Sequence, residues 1–220
     1  MTATRQEPPL VRRATLADLD AMAATLTAAF DDDPIYNWFI RQDARRAQAM
    51  RHFFTEEVRE YLGSDGAAAE EPGATKQAWV TTSLDGVTSG VALWSAPPGG
   101  TRSRLISLLR AAPHFARDTG LARLPRLLWL IRATEAKYPR IPHWYLCVLG
   151  VEPSTQGAGA GAALVRTVLE ACDRDRLPAY VESSKERNLP FYERHGFRLV
   201  ERLDFPLRGP SLWLMWREPR

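Results

Sequence analysis

The sequence predicts a mixed α/β (α+β) fold: a mostly antiparallel central sheet flanked by helices, with a helical insertion ahead of the central strand. Three observations carry that reading. Short apolar runs of strand length, at 78–82, 90–94, 143–149 and 179–183, alternate with stretches whose apolar residues recur at helical spacing. The run 143–149 is apolar on both sides, as a strand covered on both faces must be. The runs at 78–82 and 90–94, and those at 199–204 and 212–216, are close enough to pair as hairpins rather than through crossovers.

The elements follow in order. Residues 1–9 read as a flexible tail, and 10–218 as one domain. Leu10 to Arg13 forms a first strand. Thr15 with Asp18 three residues later is a helix start, and Leu19, Met22, Ala23 and Leu26 continue at helical spacing to Phe30. Asp31-Asp32-Asp33-Pro34 breaks that helix. The three acids read foremost as a solvated loop whose last member caps the next helix ahead of Pro34, with attraction of a cationic amine as the alternative. Residues 35–62 read as helix, and Tyr36 and Trp38 as core aromatics. The Gly/Ala/Glu-rich stretch 63–77 should be a mobile loop. Two strands, 78–82 and 90–94, meet through a turn at 84–86, and Pro97-Pro98-Gly99-Gly100 ends the second. Residues 101–140 hold two further helices, one around Leu105–Leu109 and one with Pro125 near its start and an apolar run at 127–131. That run should pack on the sheet.

After the central strand come an amphipathic helix over 157–174, a short strand at 179–183, a helix over 189–195 stopped by Gly196, and the closing strand pair.

Bulk properties exclude several classes. The 220 residues suffice for a real core, with 45% apolar and 25% charged residues. A formal charge of +3, with no basic cluster interleaved with aromatics, gives no footing for nucleic acid. No apolar run reaches the length of a membrane span, and the N-terminus has no signal-peptide core. Cys147 and Cys172 read as small buried hydrophobes in a reducing compartment. A soluble, cytoplasmic protein is expected. His52, His114, His143 and His195 are scattered without ligand spacing, so no metal is expected.

The stretch that organises the chain is Leu149-Gly150-Val151-Glu152-Pro153-Ser154-Thr155-Gln156-Gly157-Ala158-Gly159-Ala160-Gly161. Three glycines at alternate positions strip the turn of side chains beyond a methyl, so its backbone can approach a ligand closely. The helix that follows offers unpaired N–H groups and the positive end of its dipole to an anion such as a diphosphate. A P-loop would need Lys and Ser/Thr after the last glycine, where Ala162-Ala163-Leu164 stands. A dinucleotide fingerprint, Gly157-x-Gly159-x-x-Ala162 with Glu182 as the ribose acid, fits locally but lacks the strand–helix units it would need downstream. A tight turn without a ligand is the bland alternative.

Gln156-x-x-Gly159-x-Gly161 resembles the diphosphate loop of the GNAT acetyltransferases, and Asn188-Leu189-Pro190-Phe191-Tyr192-Glu193-Arg194-His195-Gly196-Phe197 resembles that family's last helix and its exit. The two segments stand in the family's order. Within the family the tail, with Gly209-Pro210 and Trp213-x-Met215-x-Arg217, is similar to that of puromycin N-acetyltransferases. The resemblance implies a GNAT-like sheet, acetyl-CoA as co-substrate, and cofactor contacts from Leu149, Gly150, Val151, Gln156, Gly157, Ala158, Gly159, Ala160, Gly161 and Asn188. It implies Tyr192 as the group that meets the departing thiolate, a main-chain N–H near Leu149 as oxyanion donor, and an acceptor site beside the first helices, where Tyr36 and Trp38 would contribute. Glu182, at the end of its strand, is a candidate general base, alone or through water; a salt-bridged carboxylate is the alternative.

The expected reaction is direct transfer of acetyl to the primary amine of a small molecule, an antibiotic such as puromycin among the candidates. An α-amine ionises near 8, so about a tenth is neutral at pH 7, whereas a lysine-like amine near 10.4 is almost wholly charged; a weak base suits the first. A protein lysine or N-terminus as acceptor, and a non-catalytic acyl-CoA sensor, are the competing readings. The insertion and the strand edges would suit a homodimer.

Overall fold

A computed structural model describes residues 9–63, 76–82, 86–97, 119–206 and 208–220. Residues 1–8 of the expected tail, 64–75 of the expected loop over 63–77, the first insertion helix and most of the 84–86 turn lie outside the described residues, and 76 and 77 of that loop belong to a strand. The described residues form a seven-stranded sheet in the order β1-β2-β3-β4-β5-β7-β6. Its strands are β1 Leu10–Arg13, β2 Lys76–Thr82, β3 Thr88–Ser95, β4 Trp144–Val151, β5 Ala179–Ser183, β6 Arg198–Asp204 and β7 Ser211–Arg217. Every pairing is antiparallel except β4 with β5. The helices are α1 Leu19–Ala29, α2 Pro34–Phe39, α3 Arg46–Leu62, α4 Leu124–Lys137, α5 Ala160–Arg174 and α6 Leu189–Arg194.

The sheet separates two cores. On one face α1 to α4 cover Val80, Val91, Leu93, Tyr145, Val148 and Tyr180; on the other α5 and α6 cover Trp94, Trp144, Leu146, Val181 and Met215. Helix α5 buries Leu164, Val165, Val168, Leu169 and Cys172 on one stripe, each buried Leu or Val contributing about 1.5–3 kcal/mol. That burial pushes the Cys172 thiol up to about 12, so it is inert packing.

The start of α1 is built as the sequence implies: Thr15 N–H donates to Asp18 Oδ2 (2.8 Å), after which a 3-10 turn runs into the helix. Arg12 adds a bidentate pair to Asp18 (2.8 and 2.7 Å) and holds that carboxyl at about 2.

The single helix expected over 35–62 is two helices. At Ile40 the chain turns extended (φ −75°, ψ 146°). Arg123 of the segment before α4 donates to the carbonyls of Asn37, Trp38 and Ile40, and Arg126 of α4 to Trp38 O, so the end of α2 is satisfied by a distant element. Asp43 then accepts from Arg45 N–H (2.9 Å) and opens α3. Helix propensity carries across the break, and tertiary capping overrides it. The apolar run of helix α4, expected on the sheet, has α2 as its principal neighbour: Leu127 is buried, and Trp129, Leu130 and Ile131 pack against the same core cluster.

Candidate active site

Strand β4 and what its neighbour does to it define the site. β5 runs beside β4 for three rungs only, Trp144↔Ala179, Tyr145↔Tyr180 and Leu146↔Val181. β4 continues to Val151 against β3 alone. The β3–β4 ladder also slips: Leu93 faces Val148 and Trp94 faces Leu146, leaving Cys147 as an extra residue. The side chains record the slip. Tyr145, Cys147 and Val148 belong to the α1–α4 face, and Gly150 abuts Leu26 and Ala29 there, whereas Trp144, Leu146 and Leu149 belong to the other face.

The slip sets where the amides look. Trp144 N–H donates to Pro178 O (2.9 Å), on the β5 side, and Glu152 N–H donates to Ser89 O (2.9 Å), on the β3 side. Alternation back from Glu152 therefore turns the N–H groups of Val151 and Leu149 toward the side β5 has left. A gap lined by main-chain donors results.

The glycine turn follows the end of β4 directly and leads into α5. Gly157 (φ 86°) and Gly159 (φ 88°) are left-handed, and a Cβ at either would meet nothing within 4 Å. Gln156 to Gly159 are exposed, and among the described residues no side chain caps the N-terminus of α5. The cradle is open, with the first N–H groups of a 15-residue helix at its base. Gln156 folds back, its side-chain amide donating to Val151 O (3.2 Å). Gly161 sits beside Phe191 of α6, whose ring lies 3.6 Å from where a Cβ would stand.

Asn188 occupies the N-cap position of α6 without its side chain capping it. Tyr192, one turn on, is buried between Phe191 and Phe197, and no hydrogen bond to its hydroxyl is present among the described residues. Burial first, and the charge of Asp33 second, hold its phenol well above the ordinary value of about 10.

Glu182 lies on the opposite face of β5 from Tyr192's core. Tyr145 donates to its Oε2 (3.2 Å) and Tyr180 to its Oε1 (3.1 Å). Tyr138 meets both phenol rings edge-on, and His143 and Trp216 pack on Tyr180. One rung along, the Cys147 thiol donates to Glu57 of α3 (3.5 Å). Tyr36 and Trp38 stand among core aromatics, as the sequence reads them foremost: Tyr36 stacks among Phe30, Phe39, Phe53 and Phe54, and Trp38 against Phe205.

The three acids at 31–33 are all engaged. Asp31 pairs with Arg46, and Asp32 with Lys185 and Arg187. Asp33 caps α2 as expected, but it is fully buried, not solvated, and it also accepts from the Ser184 hydroxyl. Sequence reasoning missed Asp33, Ser184, Tyr145 and Tyr180 as members of this region. Period-two alternation could have put Tyr180 on Glu182's face, but the parallel register that brings Tyr145 alongside has no local signal. No group of His, Cys, Asp and Glu that could hold a metal occurs among the described residues, and no helix among them is long and apolar enough to cross a membrane.

Comparison with known proteins agrees with this geometry. Residues 131–205 match the acetyltransferase (GNAT) domain family. An uncharacterized N-acetyltransferase of Schizosaccharomyces pombe is 29% identical over 196 residues, covering 84% of this chain and 73% of that protein. The glucosamine 6-phosphate N-acetyltransferase of Trypanosoma brucei brucei is 42% identical over 52 residues, 24% of this chain and 35% of its own length. Among solved structures, a Corynebacterium glutamicum protein titled histone acetyltransferase HPA2 and related acetyltransferase superposes with a TM-score of 0.71 at 23% identity, over 97% of this chain and 98% of its own.

Proposed function

Because the chain is a GNAT-superfamily N-acetyltransferase, an enzyme that draws its acetyl group from acetyl-CoA, we propose that it delivers that group to the primary amine of a small molecule by direct attack in a ternary complex. The observation that carries this reading is the departure of β5 from β4 after Leu146, which leaves the Leu149 and Val151 amides facing a gap beside an uncapped glycine turn.

In this reading Gly157, Ala158, Gly159, Ala160 and Gly161 hold the diphosphate with main-chain N–H groups, next to Gln156, and the pantetheine arm runs along Leu149, Gly150 and Val151. Asn188, its amide not committed to capping, contacts the arm from the α6 side. The acetyl carbonyl meets the Leu149 N–H, a preorganised donor for the oxyanion. Tyr192 faces the sulfur. Its raised pKa makes full proton transfer to a thiolate of about 8.5 uphill, so the phenol stabilises the leaving group by hydrogen bonding in a water-poor site.

Glu182 takes the acceptor. Each of its oxygens accepts a hydrogen bond from a phenol, which fixes the carboxylate group where it can draw and orient an amine. The surrounding rings of Tyr138, Tyr145, Tyr180 and Trp216 favour a compact acceptor with an apolar body over a protein tail. The glucosamine 6-phosphate enzyme, named for a small-molecule acceptor, supports the same choice. The test is free-thiol release from acetyl-CoA with puromycin, an aminoglycoside, spermidine, phenethylamine and a lysine peptide. Turnover is expected with a small amine, and turnover confined to the peptide would reverse the assignment of acceptor. Binding of acetyl-CoA with no turnover on any amine would favour a sensor.

A further inference from the structure

We infer that Ser184 and Asp33 form the route by which the attacking amine loses its proton, an inference that rests on the acetyl transfer proposed above. Ser184 follows β5 directly, the next residue in alternation after Tyr180 and Glu182, and its hydroxyl donates to Asp33 Oδ2 across 151 positions of sequence. The other oxygen of Asp33, Oδ1, is held by the N–H groups of Ile35 (2.9 Å) and Tyr36 (3.2 Å). One oxygen is thus fixed by the start of α2, and the second faces the hydroxyl. Asp33 is fully buried, whereas Ser184 is half-buried, so the hydroxyl is the outer end of the pair.

The chemistry requires such a group. When the neutral form of the amine attacks, its ammonium form having given one proton to solvent beforehand, a C–N bond forms, the C–S bond breaks with its electron pair going to sulfur, and the nitrogen must then shed one further proton. Glu182, with one phenol hydrogen bond on each oxygen, is assigned above to orienting the acceptor, so a second group is called on for the proton. Ser184 Oγ can accept the amine proton while passing its own to Asp33 Oδ2. The thiolate, hydrogen-bonded by Tyr192, takes a proton from water on release, and Asp33 returns its proton to solvent through Ser184. Desolvation holds the Asp33 carboxyl above the usual range, against Ser184, the two main-chain donors and the nearby Lys185. It therefore binds a proton more readily than an exposed carboxylate does. The charged and titratable groups around it are Lys185, itself paired with Asp32, and Tyr192, which feels the Asp33 charge. The pair consequently stands beside the group that meets the sulfur.

The experiment measures kcat at saturating acetyl-CoA, with the fastest amine of the panel above, for Ser184→Ala, Asp33→Asn and the double variant. Asn caps a helix as well as Asp does, and thermal melts check that each variant folds. Each single variant should lose about 100-fold in kcat, and the double variant should lose no more than either. Acetyl-CoA affinity by calorimetry should hold. The wild-type kcat should fall as acid protonates Asp33, and that limb should be absent in Asp33→Asn. Wild-type kcat in Ser184→Ala, or losses that simply multiply with the acid limb retained, would overturn the relay. If Tyr192→Phe is slow while Ser184→Ala is not, the relay alone fails; no turnover with any amine removes the relay together with the transfer reading.

Discussion

The main chain of Gly150 in β4 lies against Leu26 of α1: a Cβ built on Gly150 would stand 2.7 Å from Leu26 Cδ2 and 3.1 Å from the Ala29 methyl. Gly150 is therefore a packing glycine as well as a proposed lining of the cofactor gap. Gly150→Val should destabilise the protein by about 1–3 kcal/mol through overpacking, seen as a lower melting temperature without ligand. An unchanged melt would mean that α1 yields freely.

Gly159 offers the opposite case. Its φ of 88° disfavours any side chain, yet nothing lies within 4 Å of a Cβ there. Gly159→Val should fold with a modest penalty, about 1–2 kcal/mol for the left-handed backbone, and lose acetyl-CoA binding by more than tenfold. Retained affinity by calorimetry would take the diphosphate away from this turn.

Tyr192 carries the leaving-group proposal. Tyr192→Phe keeps the packing against Phe191 and Phe197 and removes only the hydroxyl. Turnover should fall by about 10²-fold while acetyl-CoA affinity holds; wild-type turnover would exclude the phenol from the reaction.

The Arg12–Asp18 pair makes a prediction about acid. Asp18 is held at about 2, below the ordinary carboxyl value, chiefly by its hydrogen bonds from Arg12. A depressed carboxyl stabilises the fold above its unfolded value of about 3.9 and loses that contribution as pH falls through about 2. With the Arg12 side chain 41% exposed, solvent screening leaves about 1–2 kcal/mol at neutral pH. Asp18→Asn should melt lower than wild type at pH 7, and the gap should close toward pH 2. A gap constant with pH would assign the effect to the cap alone.

Much of this was legible locally. The Thr15–Asp18 start, Pro34 after Asp33, the amphipathic stripe of α5 and the stop at Gly196 are each written within a few residues, and each is where the sequence places it. The glycine turn was legible for the same reason, because backbone freedom at Gly157 and Gly159 is a local property. What failed was long-range. Nothing near Ile40 announces that Arg123 will cap α2 from 83 residues away. Nor does the triple-aspartate loop announce that its last member will be buried against Ser184. The phenol grip on Glu182 depends on a parallel register that only the folded sheet establishes.

The unmatched residue at Cys147 has a bearing on how such a gap could be gained or lost. Were β4 to pair with β3 residue for residue from Trp144 onward, alternation would turn the Leu149 amide to its antiparallel neighbour; the extra residue brings it round to the open side instead. The side on which that donor appears is thus a matter of counting along one strand, a count that side-chain exchanges leave untouched.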